Sequence, residues 1–267
     1  MGKSAKNEDP ISYNTMSLGD HLEELRARLL LAILGLFLAL IVCLCFGKFI
    51  IKFIEMPYVN VMGQEARLQS IAPTDGFLSY MQIGMIGGVV IASPWIFYQV
   101  WLFIAAGLYP NEKRYVYMAA PFSAGLFITG SLFFVFIIAP LTLQFLVMFN
   151  KRVLGVASNF TFTNYVSFIG IMMLVFGLAF QTPIAIFFLN KTGLVSVQTL
   201  RRVRKYVFLA IVIIAAAATP GSDMISLFAL AIPMYLLYEL GILLCWYSGR
   251  KKKPQANQPK SGAITTS

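Results

Sequence analysis

The chain has 267 residues, of which 58% are hydrophobic, 14% aromatic and only 12% charged, with a mean hydropathy of +0.76. So little polar surface cannot clothe a soluble globule, and the composition specifies an all-α integral membrane protein, because helices satisfy their own backbone groups in lipid. The formal net charge of +10 does not indicate a nucleic-acid partner, since the bases fall between apolar runs rather than in one patch.

Residues 1–16 are polar and predict a flexible N-terminus. Ser17-Leu18-Gly19-Asp20 has the S-x-x-D form of a helix start. Leu18, Leu22, Leu25 and Leu29 then recur at helical spacing, which predicts an amphipathic N-terminal interfacial helix along the inner membrane surface. Its polar face sets Glu24 four residues before Arg28 and Glu23 three before Arg26, the favourable acid-first order.

The first span is read as 29–54, followed by an outer loop through Asp75. The second, 76–106, carries Gly84, Gly88 and Ala92 at four-residue intervals, a spacing that admits another helix closely, more simply within the chain than in a dimer. From Pro94 onward it bears Trp95, Phe97, Tyr98, Trp101 and Phe103, breaks at Gly107 and Pro110, and reaches Glu112 beside Lys113 and Arg114. Aromatic rings beside bases mark a hairpin tip on the inner face.

The third span is read as 115–139, with a second outer loop over 141–164, and the fourth as 165–189, interrupted at Gln181-Thr182-Pro183. There Pro183 removes a backbone donor and frees a carbonyl, so a local opening with a polar lining is predicted. Lys191, Arg201, Arg202, Arg204 and Lys205 form a basic inner connection. The fifth span, 206–219, has about fourteen residues where roughly twenty are needed to cross the hydrocarbon. The turn Thr219-Pro220-Gly221-Ser222-Asp223 leads into a sixth span over 224–247, also read as short, with Pro233 and Glu239 inside it. The region 250–267 reads as a basic, disordered tail. Of the 21 Lys and Arg residues, 16 fall on the side of the termini. Six transmembrane helices with both termini cytoplasmic follow from that bias.

Cys43, Cys45 and Cys245 lie in apolar runs without metal-ligand spacing, and His21 has no neighbouring His or Cys, so no metal site is predicted. The absence of a phosphate-binding G-x-x-x-x-G-K-[ST] loop and of a nucleophile paired with His argues against nucleotide hydrolysis and against an enzyme, with no catalytic residue and no cofactor.

Five segments together resemble the TatC family, the polytopic core subunit of the twin-arginine (Sec-independent) protein translocase. They are His21-Leu-Glu-Glu-Leu-Arg26, the Tyr98-Gln-Val-Trp101 run that ends at Glu112, Phe180-Gln-Thr-Pro183, Thr219 to Asp223, and Ala231 to Gly241. They stand in the family's order and extend the resemblance over 17–249, one membrane domain. The resemblance implies a receptor in the bacterial cytoplasmic (inner) membrane that binds twin-arginine signal peptides of folded proteins. It also implies transport driven by the proton gradient, TatA- and TatB-type single-span partners, and self-association.

By that resemblance Glu24 and Glu112 contact the signal peptide, with Arg26 and Phe103 on the same surface. Two inner-surface carboxylates suit a ligand with adjacent arginines, since guanidinium and carboxylate pair in a planar fork that lysine cannot form. Spacing alone favours Glu24 pairing with Arg28 and Glu112 with Lys113 or Arg114, and it allows Phe103 simply to pack at the interface. Gln181, where the family more often has Glu, and Glu239 are candidates for intramembrane polar or partner contacts, or for hydrogen bonds within the bundle. Asp223 matches the family's outer-turn acid and equally suits a helix cap. The rival functions are a small-solute secondary transporter and a purely structural membrane subunit.

Overall fold

In the computed structural model, residues 18–63, 67–107, 113–156, 159–218 and 224–250 are described. The predicted flexible N-terminus, Glu112, Asp223 and the tail beyond Arg250 lie outside them. The chain order is α1 (Leu18–Cys45), α2 (Gly47–Met62), α3 (Asp75–Ala106), α4 (Lys113–Phe133), a π-helical stretch Phe134–Ile138, α5 (Ala139–Phe149), a second π-helical stretch Asn150–Leu154, α6 (Phe162–Ala179), α7 (Thr182–Lys191), α8 (Val197–Arg202), α9 (Arg204–Ala218) and α10 (Met224–Arg250).

Five helical runs among the described residues are long and apolar enough to cross a membrane: His21–Cys45, Asp75–Ala106, Val116–Leu154, Phe162–Lys191 and Leu227–Ser248. The expected fifth span of six is α9, whose 15 residues reach only about 22 Å at 1.5 Å per residue, against about 30 Å of hydrocarbon. The last span is not short, as the sequence suggests. Helix α10 has 27 residues and runs through Pro233, as membrane helices do when neighbours take up the freed carbonyl.

The first predicted span is two helices rather than one. Helix α1 runs unbroken from the amphipathic segment into the apolar run, so the predicted interfacial helix is the first part of the spanning one, and it ends at Phe46 (φ −99°, ψ 16°). The Tyr80 hydroxyl donates to the Leu44 carbonyl beside this break. Gly47 is buried there, and a Cβ would stand 2.6 Å from the Tyr80 ring.

The predicted outer loop over 141–164 is helical as far as Leu154. Pro140, which follows the predicted end of the third span, does not stop the helix: the π-helical stretch before it shifts the ladder by one residue, so that the Ala139 amide bonds to Phe134. The missing Pro140 donor is absorbed where the ladder is already out of register. The connection that remains is tied to the preceding outer one. Gln69 donates to Phe160 (3.1 Å) and Phe162 donates to Gln69 (2.8 Å).

Helix α3 is the central mast, packing on α1, α4 and α6, while α10 packs on α7, α8 and α9, and α2 lies against α5. The main core gathers Ile54, Ile83, Phe134, Val166, Ile169, Met172 and Phe176, all essentially inaccessible. Smaller clusters sit around Trp101 and Val116 and around Ile186 and Tyr238. Cys43 and Cys245 are buried free thiols and Cys45 is an exposed one. We call the end where α1 begins and α3 stops the inner end, after the charge bias.

Candidate functional site

Helices α1 and α3 run antiparallel, and one stripe of α3 at three- and four-residue spacing carries the seam. A Cβ on Gly84 would meet the Leu44 side chain, and one on Gly88 would lie 3.1 Å from the Leu40 Cα. These two glycines therefore seat α1, the close approach within the chain that the spacing allowed. Further along, Trp95 Nε1 donates to the Leu31 carbonyl (2.9 Å). Gln99 Oε1 accepts from Arg28 Nη1 (3.4 Å). Phe103 stacks on His21, with ring centroids 4.6 Å apart and planes inclined by 25°.

At the inner end this seam presents the predicted recognition residues. Glu24 accepts from Arg28 Nη2 at 3.3 Å, and the two side chains retain 23% and 30% exposure, so the pairing that spacing allowed is formed. Arg26 is exposed and Phe103 half-buried, the latter packed under His21. Gly107 faces the same imidazole, and a Cβ there would stand 3.5 Å from its Cε1. The structure thus lines up Glu24, Arg28, Gln99, His21 and Phe103 along the inner end of the α1–α3 seam.

Gln99 and His21 stand in the motifs quoted above, but their contacts with Arg28 and Phe103 escape a sequence reading. Gln99 is buried at 3% exposure within a run that reads as an interfacial belt. The stripe itself is the missed signal: continued from Gly84, Gly88 and Ala92, it passes through Trp95, Gln99, Phe103 and Gly107.

Gln181 stands at the break between α6 and α7. Its Nε2 donates to the Ser123 carbonyl (2.8 Å), while Ser123 Oγ accepts from Trp101 Nε1 (2.8 Å). Trp101 also meets Phe188 edge-on at 5.0 Å, so α3, α4 and α7 are tied together through one serine. An open apolar groove between α4 and α7 is lined by Met118, Phe122, Ile184 and Phe187, with Lys191 at its rim.

Glu239 is not isolated within the bundle. Arg204, at the first residue of α9, donates to it at 2.7 Å, and the Tyr235 hydroxyl donates at 3.0 Å. The acid therefore serves as a clasp between α9 and α10. Among the described residues no group of three or more His, Cys, Asp or Glu side chains could hold a metal.

The helices and their apolar runs define an all-helical, multi-pass membrane protein. The model of the family "Sec-independent protein translocase protein (TatC)" matches residues 20–233, and the chain belongs to that family. It is 34% identical over 246 residues to the Sec-independent protein translocase protein TatC of Helicobacter pylori, covering 92% of this chain and 95% of the relative. It is also 34% identical over 238 residues to that of Aquifex aeolicus, covering 89% and 98%. Among solved structures, the crystal structure described as the twin arginine translocase receptor TatC superposes with a TM-score of 0.78 at 33% identity, over 86% of this chain and all of that one. Membership makes the chain a translocase subunit rather than an enzyme.

Proposed function

We propose that this chain is the receptor and core subunit of a twin-arginine translocase in the bacterial cytoplasmic membrane. It binds the Arg-Arg signal peptides of folded proteins at its inner face and nucleates a proton-gradient-driven assembly with TatA- and TatB-type subunits and further copies of itself. Both termini face the cytoplasm, and α9 crosses as the short fifth of six spans by thinning the bilayer around it.

The observation that carries this reading is Glu24, a partly exposed carboxylate held at the inner rim of the α1–α3 seam, in a chain similar over 86% of its length to a twin arginine translocase receptor. A carboxylate so placed accepts a guanidinium through charge-assisted bonds worth about 1.5–3 kcal/mol when shielded and less when wet. Glu112 supplies the second carboxylate, and Arg26 and Phe103 contribute to peptide recognition. Gln181 and Glu239 act within the bundle, and Asp223 acts at the outer turn.

Photo-crosslinkers placed beside Glu24 and Glu112 in the full chain, presented with a nascent signal peptide, test this. Capture of the Arg-Arg peptide but not its Lys-Lys counterpart, abolished by Glu24→Lys or Glu112→Lys, is expected. Equal capture of both peptides would refute the assignment.

A further inference from the structure

We propose that Arg28 is a resident competitor for the Glu24 carboxylate, and that Gln99 is the positioning residue that keeps this competitor weak and receives it when a ligand arrives. This rests on the reading that Glu24 accepts a ligand guanidinium.

The geometry is that of a divided fork. Arg28 sends Nη2 to Glu24 at 3.3 Å, long for a charged pair that normally closes to about 2.7–2.9 Å, and Nη1 to the neutral Gln99 amide at 3.4 Å, beyond the usual range of about 2.7–3.2 Å. A guanidinium grips a carboxylate best with two parallel bonds to the one group, and Gln99 prevents that by claiming one prong. Gln99 has no freedom to follow Arg28 toward solvent. It is 3% exposed and lies between Trp95, anchored to Leu31, and Phe103, stacked on His21, each one turn away on α3.

An incoming arginine delivers both prongs to Glu24, and Arg28 is displaced onto the Gln99 amide without becoming an unpaired cation. A lysine delivers one compact charge in exchange for the one bond that Arg28 already makes, so nothing drives the exchange. In this arrangement the resident arginine lowers the affinity for every cationic ligand by a common factor, and only one with a full fork rises above it.

Binding of a fluorescent synthetic peptide, Arg-Arg ahead of an apolar run, to the full-length chain in nanodiscs decides the matter. Arg28→Gln is expected to tighten binding about two- to five-fold, the range of a partly exposed pair. Gln99→Leu is expected to weaken it by a similar factor, because Arg28 then turns its whole fork to Glu24 and loses its alternative acceptor. Gln99→Asn withdraws the acceptor by one methylene while keeping the amide, and should act in the same direction. On the Arg28→Gln background, substitution of Gln99 should have no effect. Unchanged or weaker binding in Arg28→Gln, or a Gln99 effect that persists without Arg28, overturns the inference. Glu24→Gln separates the two readings. If it abolishes binding while Arg28→Gln does nothing, only the competitor is refuted; if it leaves binding intact, Glu24 is not the acceptor and both fall.

Discussion

Gly88→Ala adds one methyl group, and the structure decides its sign. The new Cβ would lie 3.1 Å from the Leu40 Cα and 3.3 Å from its nitrogen, where carbon atoms prefer about 3.5–4.0 Å. The obstruction is backbone, so no side chain can swing aside, and α1 must retreat by roughly half an ångström, which forfeits about a quarter of the attraction at each contact along the seam. Overpacking of this kind costs about 1–3 kcal/mol, and exchanging Gly for Ala within a helix returns about 1 kcal/mol. Gly125, in α4, supplies the control, because a Cβ there meets nothing within 4 Å and the propensity gain stands alone. Thermal unfolding of both variants in the same detergent should place Gly88→Ala below Gly125→Ala by about 1–3 kcal/mol, the overpacking contribution. Equal shifts in the two would show that close approach at Gly88 does not hold α1, and would refute the seam as described.

Trp101→Phe should cost about 1–2 kcal/mol in the same assay, because it removes a 2.8 Å bond and strands the buried Ser123 hydroxyl. Gln181→Leu should cost only about 0.6 kcal/mol of stability, so a large loss of transport with little change in unfolding would point to a contact outside the bundle. For Glu239→Gln, the 2.7 Å bridge to Arg204 is discounted because Arg204 is 42% exposed, leaving about 1 kcal/mol; proteolysis of the 192–203 connection should accelerate accordingly. An apolar maleimide should modify Cys45 alone in the folded protein and all three thiols after unfolding, given the burial of Cys43 and Cys245. Rapid labelling of Cys245 would contradict the packing of α10 on α7.

Composition and the spacing of apolar runs suffice to declare a helical membrane protein, because lipid leaves the backbone few choices. Proline and glycine punctuation places the break at Gln181 and the end of α3 at Gly107, since those residues act through local sterics that need no neighbours. The same punctuation misleads at Pro140, where a π-helical stretch absorbs the missing donor, and it does not reveal the break at Phe46, which forms where Tyr80 reaches Leu44 from another helix. Glu24 is legible as an acid at the inner surface, and its spacing from Arg28 shows that the two can meet. That Arg28 divides its fork with Gln99, that Phe103 lies beneath His21, and that Glu239 clasps Arg204 are matters of tertiary structure. Each joins residues 35 to 82 positions apart. Local periodicity states which face of a helix a residue occupies, whereas the partner that face meets is chosen by how whole helices pack.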